Sequence, residues 1–132
     1  MRIIELEHTA DAAIQVSAKD LASLFQYAAE GMYHQIGMQL DTNAKTHKKD
    51  LYLSEMDNET LLVTFLTELL FFVENRICYK DFSLEIGEHE LKGSLVGYTI
   101  LSLEREIKAV TFNNLEIRKK GGLFSTQIVF DL

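Results

Sequence analysis

The stretch that decides the fold is Asp57-Asn58-Glu59-Thr60-Leu61-Leu62-Val63-Thr64-Phe65-Leu66-Thr67-Glu68-Leu69-Leu70-Phe71-Phe72-Val73. Leu61, Leu62, Phe65, Leu66, Leu69, Phe72 and Val73 recur at helical spacing. Asp57 is a good N-cap ahead of them, since its carboxylate can accept from the free N–H groups of the first turn. Apolar residues cover more than half of the circumference, so this helix is expected to be covered on both sides. Leu61–Val73, interrupted by Glu68, is shorter than the roughly 20 apolar residues that a membrane span needs. It reads as a buried helix.

Working outward, a second helix precedes it. Asp20 is again an N-cap, and Leu21, Leu24, Phe25, Ala28, Ala29, Met32 and Ile36 form one apolar stripe before Gly37, a natural C-terminal stop. The remaining segments read as strands. Ile14 and Val16 alternate with polar residues, as do Leu51 and Leu53, and Phe82, Leu84 and Ile86. Ile107, Ala109 and Thr111 mark another extended run. Leu115 and Ile117 lead into Lys119-Lys120-Gly121-Gly122 and then Leu123–Phe130, a hairpin pattern in which the glycines supply positive φ. Asp41–Asp50 is the most polar segment and reads as an exposed loop running into a strand. With no repeat and no linker, residues 1–132 read as one domain. The class is α+β, with two helices packed on one face of a mostly antiparallel sheet.

Composition narrows the function. Hydrophobic residues make up 47% of the chain and charged residues 25%, enough apolar surface to offset chain entropy. The net charge of -7 argues against a protein built to grip nucleic acid or an anionic membrane, but allows docking on a basic protein surface. Cys78 is the one cysteine, which excludes an intramolecular disulfide and a cysteine-based zinc site and fits a reducing cytoplasm. Met1–Glu7 lacks the apolar segment of a signal peptide.

No phosphate-cradling glycine loop, nucleophile elbow or His-Glu-x-x-His is present. His8, His34, His47 and His89 share no ligand spacing. Two acidic positions are more suggestive. Asp11 lies in the short connection between the first two strands, and Asp131 ends the last one, followed by Leu132 with a terminal carboxylate. If the last strand ends beside the first loop, these groups form a cluster of hard oxygens suited to Ca²⁺, Mg²⁺ or Mn²⁺ rather than zinc or copper. On chemistry alone, Asp11 reads equally as a turn former and Asp131 as a solvated strand end. Lys108 reads as a charged strand-edge residue or as a cation lining the same site, and Cys78 as a small buried hydrophobe.

His8-Thr9-Ala10-Asp11 followed by an alternating strand resembles the opening signature of the archease family. The likeness continues in order through Asp20-Leu21-Ala22-Ser23-Leu24-Phe25, Leu61-Leu62-Val63-Thr64-Phe65-Leu66-Thr67-Glu68-Leu69-Leu70, Glu106-Ile107-Lys108-Ala109-Val110-Thr111-Phe112 and the terminal Phe130-Asp131-Leu132. Phe112-Asn113 stands where many members have Tyr-His. The resemblance implies an α+β domain built on a strand-helix-strand-strand module with inserted strands. It implies a protein cofactor rather than an enzyme. Such a cofactor promotes guanylylation and multiple turnover of the RNA ligase that joins 3′-phosphate or 2′,3′-cyclic phosphate ends to 5′-hydroxyl ends in tRNA splicing and RNA repair. It implies metal ligands at Asp11, Asp131 and Leu132, with calcium the first expectation and magnesium or manganese the alternates. The other role it offers is that of chaperone or oligomerisation modulator for an RNA-modifying enzyme such as an RNA methyltransferase. A small metal-dependent hydrolase using Asp11, Asp131 and His8 is a third reading, which lacks a recognisable nucleophile or general base.

Overall fold

Both helices begin where a carboxylate satisfies the first turn. The Asp20 carboxylate accepts from the Ser23 N–H at 2.7 Å, and that of Asp57 from the Thr60 N–H at 2.7 Å. They open α1 (Leu21–Ile36) and α2 (Asn58–Glu74). Gly37 ends α1 in the left-handed region, at φ 66°, and its N–H donates to the Tyr33 carbonyl at 3.0 Å. Any residue with a Cβ is strained in that conformation.

This is a computed structural model that describes residues 2–7, 11–112 and 114–132, with backbone only at residues 2, 6 and 7. The described strands are β1 (Arg2–Glu7), β2 (Asp11–Ala18), β3 (Met38–Leu40), β4 (His47–Ser54), β5 (Ile77–Ile86), β6 (Glu90–Leu103), β7 (Ala109–Thr111), β8 (Arg118–Lys120) and β9 (Leu123–Asp131). Every pairing is antiparallel. The expected α+β class holds, with the strands divided between two sheets. In one, the order is β1-β2-β9-β7, with β8 also on β9; in the other, β3, β4 and β5 all pair with β6. The hairpin turn falls at Gly121 and Gly122, both at positive φ. The run around Ile107 is narrower than expected. Ile107 is buried in a connecting segment, and the strand begins at Ala109.

The helices lie against the buried faces of both sheets. α1 packs chiefly on β2, and α2 on β5 and β7. Phe25 of α1 meets Phe65 of α2 with ring centroids 5.9 Å apart, and Phe65 meets Phe82 of β5 at 5.8 Å. Phe82 reaches this position from a β-bulge at Lys80–Ser83, where Asp81 takes φ 52°. Gly31 lets α1 approach β2 closely: a Cβ there would sit 2.7 Å from Cδ1 of the fully buried Ile14. The double covering of α2 accounts for its seven buried residues, Leu61, Leu62, Phe65, Leu66, Leu69, Leu70 and Val73.

The caps carry a pH signature. The Ser23 N–H bond holds the Asp20 carboxyl below its ordinary value of 3.8. A lowered folded value stabilises above the ordinary one and loses that contribution as pH falls through the folded value. Asp20→Ala should therefore cost about 1 kcal/mol of unfolding free energy at neutral pH. In urea titrations the gap between wild type and variant should narrow as pH drops below the ordinary carboxylate range.

Candidate metal centre

Asp11 is the first residue of β2 and Asp131 the last of β9, and the two face each other directly in the antiparallel register. Directly opposed residues place their Cβ atoms about 5 Å apart. Were the two charges also about 5 Å apart, they would repel by roughly 1 kcal/mol in water and by about 3 kcal/mol at an effective dielectric of about 20. The register forces this juxtaposition because the flanking residues bury the other face. Ala12, Ile14, Val16 and their partners Phe130 and Ile128 are all at most 1% exposed. With a side-chain period of two, Asp11 and Asp131 share the outward face with Gln15 and Gln127.

Asp131 is well anchored. Its carbonyl accepts from the Lys108 N–H at 2.7 Å, its backbone pairs with Ala109, and its Oδ1 accepts from the Thr111 hydroxyl at 3.2 Å. Asp11 is held less fully: its Oδ1 is buried and has no hydrogen-bond partner among the described residues. A buried carboxylate oxygen without a donor is costly unless a cation or donor reaches it. The donor chemistry is that of hard cations. Leu132 is half-buried against the core, which keeps the residue after Asp131 close to the sheet. Among the described residues, no three side chains of His, Cys, Asp or Glu form a metal group. A cation at this end would therefore have two side-chain carboxylates and need main-chain oxygen besides.

The other candidates separate. Lys108 lies just before β7 with an exposed side chain, and contributes its backbone N–H to Asp131. His34 is exposed on α1, its Nε2 3.0 Å from Glu5 Oε1. His47 is exposed at the start of β4, and His89 sits at φ 57° between β5 and β6. His8 and Asn113 lie outside the described residues. Thr111, within Glu106–Phe112, carries no signal in the sequence that would link it to Asp131, yet its hydroxyl donates to that carboxylate. Cys78 is buried in β5 as expected. A groove of about 530 Å³ on the open face of the five-stranded sheet is lined by Gln15, Ser17, Arg118, Ser125 and Gln127, further along the strands from the acidic pair.

These features define a class: an α+β domain of antiparallel sheets with two acidic residues opposed where β2 and β9 meet. The sequence profile of the Archease protein family matches residues 4–132. The chain is 35% identical to the archease of Methanosarcina barkeri over 96% of this chain and 93% of that one. It is 31% identical to that of Methanothermobacter thermautotrophicus over 94% of each. Among solved structures, an archease of Thermotoga maritima described as a possible chaperone superposes with a TM-score of 0.74 at 26% identity, covering 100% of this chain and 98% of that one. A solution structure of a Methanobacterium thermoautotrophicum protein gives 0.71 at 24% identity, over 98% of each chain, a likeness of fold. The chain belongs to the archease family. No described helix is long and apolar enough to cross a membrane.

Burial pushes the Cys78 thiol up to about 11, so only about one molecule in a thousand carries the thiolate at pH 8. Labelling of the native protein with a chromogenic disulfide at that pH should be slow. In denaturant the same thiol should react at the rate of a free cysteine.

Proposed function

We propose that this protein is a metal-binding activator of an RNA ligase that joins 3′-phosphate or 2′,3′-cyclic phosphate ends to 5′-hydroxyl ends, acting on the ligase's guanylylation and multiple turnover in the cytoplasm. Family membership supports the reading. The observation that carries it is the register-matched pair Asp11 and Asp131, with a buried Asp11 oxygen that lacks a partner among the described residues. Asp11, Asp131 and the terminal carboxylate of Leu132 would hold the cation, Ca²⁺ by preference and Mg²⁺ or Mn²⁺ as alternates. Such a cation, when bound, offsets negative charge on nucleotide phosphates.

The chain's own part is placement and charge. β2 and β9 hold the two carboxylates at one end of a rigid sheet, so that they enter a partner's pocket without an ordering cost. A ligase site that handles phosphates is basic, and an acidic strand end is its electrostatic complement. With a net charge of -7 the protein meets the ligase rather than the RNA. The second reading is a metal-independent chaperone or oligomerisation modulator of an RNA-modifying enzyme such as a methyltransferase. The description given to the Thermotoga maritima relative favours it.

Substoichiometric amounts of the protein should raise the guanylylation rate of the cognate ligase, with no RNA joining by the protein alone. Asp11→Ala and Asp131→Ala should remove metal binding in calorimetric titration and abolish activation, while leaving the circular dichroism spectrum unchanged. A tag fused after Leu132 should do likewise, and one placed before Met1 should not. Full activation by Asp131→Ala would leave the chaperone reading standing. A separate check concerns RNA: in an anisotropy titration at physiological salt, the isolated protein should show only weak, salt-sensitive binding to single-stranded RNA.

A further inference from the structure

We propose that Thr111 is a positioning residue for the cation site, acting through Asp131; the proposal rests on the metal-binding reading above. β7 pairs with β9 so that Ala109 faces Asp131, Val110 faces Phe130 and Thr111 faces Val129. Thr111 and Asp131 are therefore diagonal neighbours on the outward face, within side-chain reach. The Thr111 hydroxyl donates to Asp131 Oδ1 at 3.2 Å. That bond engages one carboxylate oxygen, so Oδ2 would be the one to meet a ligand.

Three features make the arrangement directional. The β-branched threonine has a restricted χ1, so the strand backbone fixes where its hydroxyl points. The Lys108 N–H fixes the Asp131 carbonyl at 2.7 Å, which removes freedom from the backbone beneath the carboxylate. Asp11, by contrast, has an Oδ1 with no partner among the described residues. One carboxylate is thus oriented in advance by the protein, and the other keeps an oxygen for the ligand. Hydrogen bonds that orient a ligating carboxylate in this way commonly govern metal affinity about 10- to 100-fold. A threonine serving only as a strand former would have no such effect, because valine has the same shape and an equal preference for a strand.

The test titrates the full chain with Ca²⁺ alone by calorimetry, comparing wild type, Thr111→Val and Thr111→Ser, and measures melting of all three in chelator. Thr111→Val should bind Ca²⁺ about 10-fold more weakly. Thr111→Ser, which keeps the hydroxyl, should return affinity close to wild type, and the chelated proteins should melt together. Equal affinity of wild type and Thr111→Val overturns the proposal while the metal site stands. Equal losses in the valine and serine variants overturn it too, since shape rather than the hydroxyl would then matter. A wild type that binds none of Ca²⁺, Mg²⁺ or Mn²⁺ overturns the metal reading and this inference with it.

Discussion

Eight consecutive antiparallel pairs join residues 11–18 to residues 124–131, and the rest of the structure is arranged around them. The pairing brings together the two ends of the sequence, and the burial pattern fixes its register. A one-residue slip of β2 against β9 would turn Ile14 and Val16 outward and bring Gln15 into the core. Burying a residue of this type contributes about 1.5–3 kcal/mol. Two of them, at about 3–6 kcal/mol together, match or outweigh the repulsion of one carboxylate pair, even at its larger estimate of about 3 kcal/mol. The close approach of Asp11 to Asp131 is thus imposed by the core, and the acidic site is a consequence of the register that the hydrophobic residues select.

The same constraint explains why the strand end stays ordered. Terminal residues commonly fray because little is lost when they leave. Here Phe130 is fully buried immediately before Asp131, and Asp131 is bonded to backbone on both sides, by β2 and by the segment entering β7. Pulling the end away would expose a phenylalanine and break the Lys108 bond as well. α1 reinforces the pairing from beneath, since Gly31 allows the helix to seat directly on Ile14. Charge at the rim and apolar packing two or three residues inward belong to one mechanical unit.

What could be read from the sequence was local. Asp20, Gly37 and Asp57 mark helix ends through contacts with residues three or four away, so their meaning is visible in a short window. The Gly121-Gly122 turn and the double covering of α2 are legible for the same reason. The division into two sheets is not, because it depends on which strands find β6 and which find β9. The β5–β6 and β8–β9 hairpins are local, but the pairings of β2 with β9 and of β3 and β4 with β6 span dozens of residues and leave no local mark. The bulge at Asp81 is equally silent. Its left-handed residue is held by the Tyr98 hydroxyl, seventeen positions away, which donates to the Asp81 carboxylate. Asp11 and Asp131 could be singled out by residue type, but their meeting could only be supposed. Thr111 stayed hidden because threonine in a strand has an ordinary reason to be there.

On the proposed reading, the incompleteness of the acidic site is its useful property. Two side-chain carboxylates and one terminal carboxylate carry three negative charges, and a divalent cation leaves one uncancelled. Hard cations such as Ca²⁺ take six to eight oxygens, more than three carboxylates supply when some bind through one oxygen and Asp131 has Oδ1 engaged by Thr111. A closed cage would make the cation a structural staple and bury it within this protein alone. An open one at an exposed strand end leaves positions for oxygens from outside, and phosphate oxygens suit them best. The residual negative charge would then favour a basic partner pocket over free RNA, so the arrangement proposed to bind the cation would also select where it is delivered.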